Sequence, residues 1–280
     1  VFEHHPLPLF LEGQVRGMKI LTNREAARNL HRKVQSSELY DQALGMYRVN
    51  GYLKNEPYTI GRARAFSPGW LENGSIWLHM EYKYLLELLR AGLYEEFYAA
   101  AGTALIPYLD PEVYGRSILE NSSFLLSSLN RDRRNHGRGY IARLSGSTVE
   151  FLSIWAFLSF GPQPFRVQEG KLIYTPLPVL RGDLFTEKPQ EVIIQENQDR
   201  RRAVTIPAHA YAYRFLGKTL VVYHNPKRGN TFGPQQVKID GFQLLTEEGK
   251  SIAIAGNFIP SPLAQEIRDG KVQQIDAFFA

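Results

Sequence analysis

The chain has 280 residues, of which 44% are hydrophobic and 22% charged, and its formal net charge is +5. This composition is ordinary for a globular protein with one or two domains, and the lack of cysteine excludes disulfides and thiolate metal sites. No apolar run approaches the length of a membrane span, and the basic residues are spread along the chain, so we expect neither a membrane nor a nucleic-acid partner.

Residues 1 to about 160 are predicted to be mainly helical. Apolar residues at helical spacing predict helices over 8–21, 24–34, 76–91, 93–105 and 145–160, separated by polar or turn-rich segments. Thr22 or Asn23 is expected to cap the second helix, and Gly92 to end the third. The third helix is apolar nearly all round, which is typical of a buried helix.

From Gly161 onward, β-branched and aromatic residues alternate with polar ones, and Gly, Pro and Asn separate the runs. Strands are predicted over 171–174, 191–194, 203–213, 218–223 and 251–254, with one short helix over 262–268. This pattern favours an antiparallel β-sandwich. We place the domain boundary near residue 162.

A polar, aromatic loop leads into the third helix. Asn73, Gly74 and Ser75 are good N-cap types there, and we expect His79 about one turn inside the helix. Glu72 precedes the helix and could bind a substrate hydroxyl or act as a general acid or base.

Aromatic residues flank the same loop, and Trp70 and Phe66 could stack on a sugar. In the structural interpretation, Glu72 is simply a helix-start carboxylate, Trp70 and Trp77 are core, and His79 begins a solvated stripe with Lys83, Glu87 and Arg90. Both interpretations stay open at this point.

A second stretch, 136–148, places small residues, hydroxyls and arginines at the start of the last helix. Gly146 would let the backbone approach a ligand, and Arg143 and Ser145 add a cation and a hydroxyl, which is typical of an anion site. The structural interpretation is a capping box formed by Ser147 and Glu150, and the two interpretations are compatible.

Other candidates are weaker. Glu120 is a second carboxylate in a loop, but pairing with nearby Arg116 is the simpler interpretation. No metal-ligand spacing connects the remaining histidines (His4, His5, His31, His209 and His224), which we treat as structural or surface residues, and we expect no metal site.

The segment Glu72-Asn73-Gly74-Ser75-Ile76, followed by His79, resembles the E-N-G-G-I-x-x-H motif of the cellobiose phosphorylase family of glycoside phosphorylases. Ser145-Gly146-Ser147 resembles that family's Thr-Gly-Thr at the start of the last barrel helix. Segments 61–98 and 120–155 look closest to the 1,2-β-oligoglucan phosphorylase branch. The resemblance covers most of residues 40–165.

The resemblance implies a multidomain fold of α and β: residues 1–162 would be the second half of an (α/α)6 catalytic barrel, and 163–280 a jelly-roll-like β-sandwich. It implies a hexosyltransferase that cleaves β-linked gluco-oligosaccharides with inorganic phosphate, without another cofactor, and releases α-D-glucose 1-phosphate. His79, Ser145 and Gly146 would contact phosphate, Glu72 would bind sugar hydroxyls, and Phe66 would lie beside the acceptor sugar. A cytoplasmic location and a homodimer are further expectations from the family.

Two departures from the family motif matter. Leu126 and Ser127 occupy the region of the family's phosphate-contacting Gln. The family's general acid, an Asp, has no counterpart in these residues and is expected upstream of Val1. We therefore expect the chain to be the C-terminal part of an enzyme, with the rest of the barrel on the same or a separate chain.

Three functions remain open from the sequence. The first is inverting phosphorolysis. The second is hydrolysis or transglycosylation on the same scaffold, motivated by the missing Gln and by Ser145 in place of Thr. The third is a non-catalytic carbohydrate-binding or assembly subunit, motivated by the missing acid.

Overall fold

A computed structural model describes residues 6–142, 146–195 and 201–280. The chain divides into two compact units, Val1–Trp155 and Ala156–Ala280. The first is mainly helical and the second is rich in antiparallel strands, so the protein is of mixed α and β structure. The division falls inside the last long helix, whereas the sequence predicted a boundary just after it. No helix among the described residues is long and apolar enough to cross a membrane.

Six helices are described for the first unit, the last of which continues into the second. They are α1 (Leu11–Ile20), α2 (Arg24–Gln35), α3 (Leu78–Arg90), α4 (Tyr94–Ala104), α5 (Pro111–Tyr114) and α6 (Ser147–Phe160). The helices predicted over 8–21, 24–34, 93–105 and 145–160 correspond to α1, α2, α4 and α6, with ends that agree to within three residues. The cap of α2 is confirmed, since the Asn23 side-chain oxygen accepts from the N–H groups of Glu25 and Ala26 at 2.8 and 3.3 Å.

The segments between these helices contain short strands, which pair with one another. Two antiparallel groups form: β1 (Tyr40–Asp41) with β2 (Met46–Tyr47), and β3 (Ile76–Trp77) with β4 (Phe124–Leu125), which also pairs with β5 (Gly139–Tyr140). Strands of two residues have no periodicity to detect, which is why the sequence did not predict them.

The predicted start of the third helix is wrong. Ile76 and Trp77 form β3, the helix begins at Leu78, and Trp77 precedes it without a side-chain cap. Asn73 and Ser75 do not cap α3 because both lie ahead of its cap residue, Trp77, and their side chains donate to the carbonyls of Phe66 and Leu71. The predicted end is confirmed, since Gly92 follows α3 with φ of 72°.

Helix α7 and the remaining strands lie in the second unit. They are β6 (Phe165–Gln168), β7 (Lys171–Tyr174), β8 (Gln190–Gln195), β9 (Arg201–Ile206), β10 (Ala210–Phe215), β11 (Thr219–His224), β12 (Ile239–Thr246), β13 (Ser251–Ala255), β14 (Ile259–Pro260), α7 (Leu263–Arg268) and β15 (Val272–Phe279). The largest sheet has the order β10-β11-β15-β12-β13, a second has β14-β7-β6, and β8 pairs with β9.

One predicted strand of this unit needs correction. The strand predicted over 203–213 is two strands, because Pro207 lacks an N–H for the ladder and a turn carries the chain from β9 to β10. The predicted antiparallel pairing is confirmed for most strands of this unit, and among the described residues β11 and β15 pair in parallel. The predicted short helix is confirmed as α7.

Candidate functional site

The loop before α3 is held in an unusual backbone conformation. Gly69 and Gly74 have φ of 75° and 72°, and Leu71, which carries a side chain, has φ of 48°. The N–H of Gly69 donates to the Asn73 carbonyl at 2.7 Å, and the N–H of Trp70 donates to the Ser67 carbonyl at 3.1 Å. A non-glycine residue in the left-handed region persists only where its surroundings enforce it.

Buried amide and hydroxyl side chains enforce this conformation. Asn50 accepts from the Gly74 N–H at 2.7 Å and donates to the Glu72 carbonyl at 2.6 Å. Asn73 donates to the Phe66 carbonyl at 2.7 Å, and Ser127 donates to the Gly74 carbonyl at 2.6 Å. The loop is therefore a rigid support for the side chains that it carries, as binding loops often are.

The carboxylate of Glu72 is fixed by a salt bridge. Its Oε1 lies 3.0 Å from Nη2 of Arg62, and its side chain is 22% exposed. Phe66 is half-buried near the same loop. The Glu72 carbonyl is held by Asn50, and its carboxylate is paired with the largely exposed Arg62.

Trp70 belongs to an aromatic cluster. Its ring packs edge-on against Phe124 and Tyr140, with ring centroids 5.0 and 4.7 Å apart, and Trp77 stacks on Phe124 at 5.6 Å. This packing favours the structural interpretation of both tryptophans. A substrate contact through Trp70 stays a prediction.

His79 is the second residue of α3, closer to the helix start than predicted. Its side chain is 32% exposed, and its Nε2 lies 3.7 Å from Oε1 of Glu150 in α6. A Cβ built on Gly146 would lie 2.5 Å from the same nitrogen, so the Gly146 backbone comes directly against the imidazole. The two motifs that the sequence singled out therefore meet in space.

The start of α6 differs from the predicted capping box. Ser147 is the first helical residue, and its hydroxyl donates to the Ser122 carbonyl at 3.4 Å. The Glu150 N–H donates to the Gly146 carbonyl at 3.0 Å, so Gly146 takes the cap position. A side chain at position 146 would force the His79 ring to shift. Arg143 and Ser145, which the sequence assigned to phosphate, lie outside the described residues.

Several charged groups act on His79. Partial burial lowers the pKa of its imidazole below the ordinary value, and the cation of Lys83 lowers it further. The carboxylates of Glu150 and Glu12 oppose this pKa shift. At neutral pH the imidazole is therefore mainly neutral and offers one N–H donor.

Glu150 was missed as a functional candidate. The Ser-x-x-Glu pattern pointed to a local capping role, and no sequence signal connects residue 150 with residue 79. Glu120 pairs with Arg116 at 3.4 Å, in agreement with the simpler interpretation. The prediction of a solvated stripe after His79 is wrong at Glu87. This residue is 3% exposed and pairs with Arg90 and Lys19 at 2.6 and 3.6 Å.

Other parts of the predicted site can be placed. Ser127, in the region of the family's Gln, is buried and uses its hydroxyl to hold Gly74. Among the described residues, no group of three or more His, Asp or Glu side chains could hold a metal ion.

Comparison with models of known protein families and with curated proteins gave no match for this chain.

Proposed function

We propose that this chain is the C-terminal part of an inverting glycoside phosphorylase that cleaves β-linked gluco-oligosaccharides with phosphate and releases α-D-glucose 1-phosphate. In this proposal the first unit is the second half of an (α/α)6 barrel, and the second unit is a jelly-roll-like sandwich. The observation that carries it is the contact between His79 and the Gly146 backbone at the start of α6.

The chemistry needs an anion site in place of a catalytic base. In an inverting hydrolase, a carboxylate activates water while a carboxylic acid protonates the leaving oxygen. Phosphate is already anionic, so one of its oxygens can form the new bond to the anomeric carbon as the glycosidic C–O bond breaks. An imidazole and the free N–H groups of a helix start are suitable donors to that anion. The departing oxygen takes its proton from a general acid, which the resemblance places ahead of Val1.

Glu72 is proposed to bind sugar hydroxyls beside this anion site. Its carbonyl is held by Asn50 and its half-buried carboxylate pairs with Arg62, so its oxygens lie beside the loop where sugar hydroxyls would bind. Phe66 would lie beside the acceptor sugar. Arg143 and Ser145 are proposed to complete the phosphate contacts.

Hydrolysis is the second candidate, because one observation favours it. Glu150 places a carboxylate 3.7 Å from His79, and a negative charge at that distance repels a phosphate dianion. A paired imidazole and carboxylate could instead orient and deprotonate water. The two candidates differ in their requirement for phosphate.

The first test measures phosphate binding to the full chain by isothermal titration. Gly146→Ala would put a methyl group against the imidazole, so we expect phosphate affinity to fall at least about tenfold. Gly102→Ala is the matched control, because a Cβ at that helical glycine meets nothing within 4 Å. The anion site is refuted when the unchanged chain does not bind phosphate, or when both variants bind it equally.

The second test concerns the reaction. We expect the complete protein, including any separate chain that supplies the acid, to release glucose 1-phosphate from β-1,2-gluco-oligosaccharides only when phosphate is present. Turnover without phosphate that is abolished by Glu150→Gln would establish the hydrolytic candidate instead.

A further inference from the structure

A cavity rich in basic side chains lies at one end of the large sheet in the second unit. Strands β10 and β12 end there, β11 and β15 begin there, and the paired strands β8 and β9 contribute one residue each. The cavity has a volume of about 460 Å³, and its charged lining residues are Arg202, Arg214, Lys218 and Glu247. The lining therefore contains three cations and one carboxylate.

Arg214 is held in place by backbone carbonyls. Its Nη1 donates to the carbonyl of Gln195 at the end of β8, and its Nη2 donates to the carbonyl of Gly217. These neutral acceptors orient the guanidinium but do not cancel its charge. No carboxylate among the residues that the structure describes forms an ion pair with Arg214 or with Lys218. The charges of both side chains can therefore act on an anion in the cavity.

One donor of the Arg214 guanidinium is left over. Its Nε is shielded from solvent and has no hydrogen-bond acceptor among the described residues. A buried donor without an acceptor costs free energy, and the cost is larger for a charged group. An anionic oxygen next to the guanidinium would be a suitable acceptor, since such charge-assisted hydrogen bonds are the strong ones.

A tight turn fixes the backbone of Lys218 close to Arg214. Leu216 and Gly217 connect β10 to β11 with φ of 51° and 71°, and the Lys218 N–H donates to the Phe215 carbonyl at 3.1 Å. Two consecutive positive φ values define a two-residue hairpin turn that follows the twist of the strands. The exposed Lys218 side chain thus starts from a fixed point and reaches the cavity that Arg214 lines.

We propose that this cavity binds a phosphate monoester of a small polyhydroxy compound, such as a sugar phosphate. A phosphate monoester carries a charge of about −1.5 to −2 at neutral pH, which suits a lining whose cations outnumber its carboxylates by two. A guanidinium pairs with two phosphate oxygens at once, and a lysine adds a point charge.

The rest of the lining suits the part of the ligand that carries hydroxyl groups. The Glu247 carboxylate accepts hydrogen bonds from hydroxyls, and the amide of Gln273, which also lines the cavity, both donates and accepts. The cavity volume falls within the range of sites for small organic molecules. An inorganic anion alone would leave Glu247 and Gln273 without a partner in the ligand.

Charge also argues against other occupants. A neutral sugar would give Arg214 and Lys218 no counter-charge, and nucleic-acid binding depends on basic residues that follow several successive phosphates. The cations of this cavity are instead gathered at one place and accompanied by a carboxylate. The cavity belongs to the second unit and His79 to the first, so this proposal goes beyond the proposed function and does not depend on it.

Isothermal titration of the full chain with glucose 6-phosphate tests the ligand class. Glucose and inorganic sulfate are the comparison ligands, because the first lacks the charge and the second lacks the hydroxyl groups. We expect both to bind at least about tenfold more weakly than the ester. Equal affinity for sulfate would show a site without preference for an ester and would overturn the proposal.

Substitutions locate the binding. Arg214→Gln is expected to weaken glucose 6-phosphate binding at least about tenfold, and Lys218→Gln several-fold. Because Lys218 is exposed, its variant decides the result should Arg214→Gln fail to fold. Lys171→Gln is the matched control, since Lys171 is an exposed lysine on β7 in a different sheet, and it should leave binding unchanged.

A variant of the first unit separates this proposal from the proposed function. Binding of glucose 6-phosphate that Lys218→Gln weakens and Gly146→Ala does not supports the cavity, whatever happens at His79. Binding that only Gly146→Ala weakens, equal losses for Lys218→Gln and Lys171→Gln, or no binding at all overturns it. A single-stranded oligonucleotide that competes with the ester and is itself bound more tightly would assign the cavity to nucleic acid and would also overturn it.

Discussion

Glu81 is the most deeply buried carboxyl group among the described residues of α3. It has no exposed surface, and its Oε1 accepts from the Tyr47 N–H at 2.9 Å. Burial raises the pKa of Glu81 well above the ordinary value, the Tyr47 hydrogen bond opposes this shift, and the nearby Asp41 adds to it. The folded protein therefore holds Glu81 neutral where the unfolded chain would ionise it.

The raised pKa of Glu81 sets the direction in which the free energy of unfolding changes with pH. Because the folded pKa is raised, the contribution of Glu81 to stability is complete below its unfolded pKa and is lost as pH rises towards the folded pKa. Glu81→Gln keeps the acceptor for Tyr47 but cannot ionise. Between the unfolded and folded pKa of Glu81, we expect the variant to gain stability relative to the unchanged protein. The difference in free energy of unfolding should grow by up to about 1.4 kcal/mol per pH unit.

Urea unfolding from about pH 5 to about pH 8 measures this difference. Glu95→Gln, an exposed substitution in α4, serves as the control, and its difference from the unchanged protein should stay constant. A difference for Glu81→Gln that does not vary with pH would show that Glu81 is ionised in the folded state.

At the scale of elements, helix α2 depends on a single side chain at its start. Asn23 accepts from two N–H groups that have no partner within the helix. Asn23→Ala should therefore lower the free energy of unfolding by about 1 kcal/mol, and Asn23→Asp should restore most of it. Chemical denaturation measures both.

Asn29→Ala provides the comparison for this helix, since Asn29 is exposed in the interior of α2. Alanine is the better helix former there, so that variant should be neutral or slightly stabilised. Equal losses at both positions would mean that the cap contributes nothing specific.

At the scale of the whole molecule, the two compact units have separate internal supports. In the second unit, the buried Tyr223 hydroxyl donates to the Ser159 carbonyl at 2.8 Å and shares a hydrogen bond with the Tyr213 hydroxyl at 3.0 Å. In the first, Asn73 holds the loop around Glu72. A substitution at Tyr223 or at Asn73 therefore weakens the hydrogen bonds of one unit and leaves those of the other unchanged.

Calorimetry on two variants examines whether the units unfold separately. Tyr223→Phe should cost about 1–3 kcal/mol and lower one transition by a few degrees, because a buried carbonyl loses its donor. Asn73→Ala should lower the other transition. An equal shift of a single transition by both variants would show one cooperative unit instead.

The sequence by itself determined the local structure that short-range chemistry controls. Periodicity located α1, α2, α4 and α7 to within a few residues, and the amide of Asn23 and the freedom of Gly92 to adopt positive φ marked helix ends correctly. These features depend on residues within a few positions of each other, so a linear sequence contains them.

Tertiary structure alone decided which distant groups meet. The pairing of β3 with β4 took Ile76 and Trp77 out of α3, and the packing of α3 against α6 brought Glu150 to His79. The parallel pairing of β11 with β15 created the His224–Asp276 contact. Such contacts join residues dozens of positions apart, and their free energy depends on burial and geometry that exist only once the chain has folded.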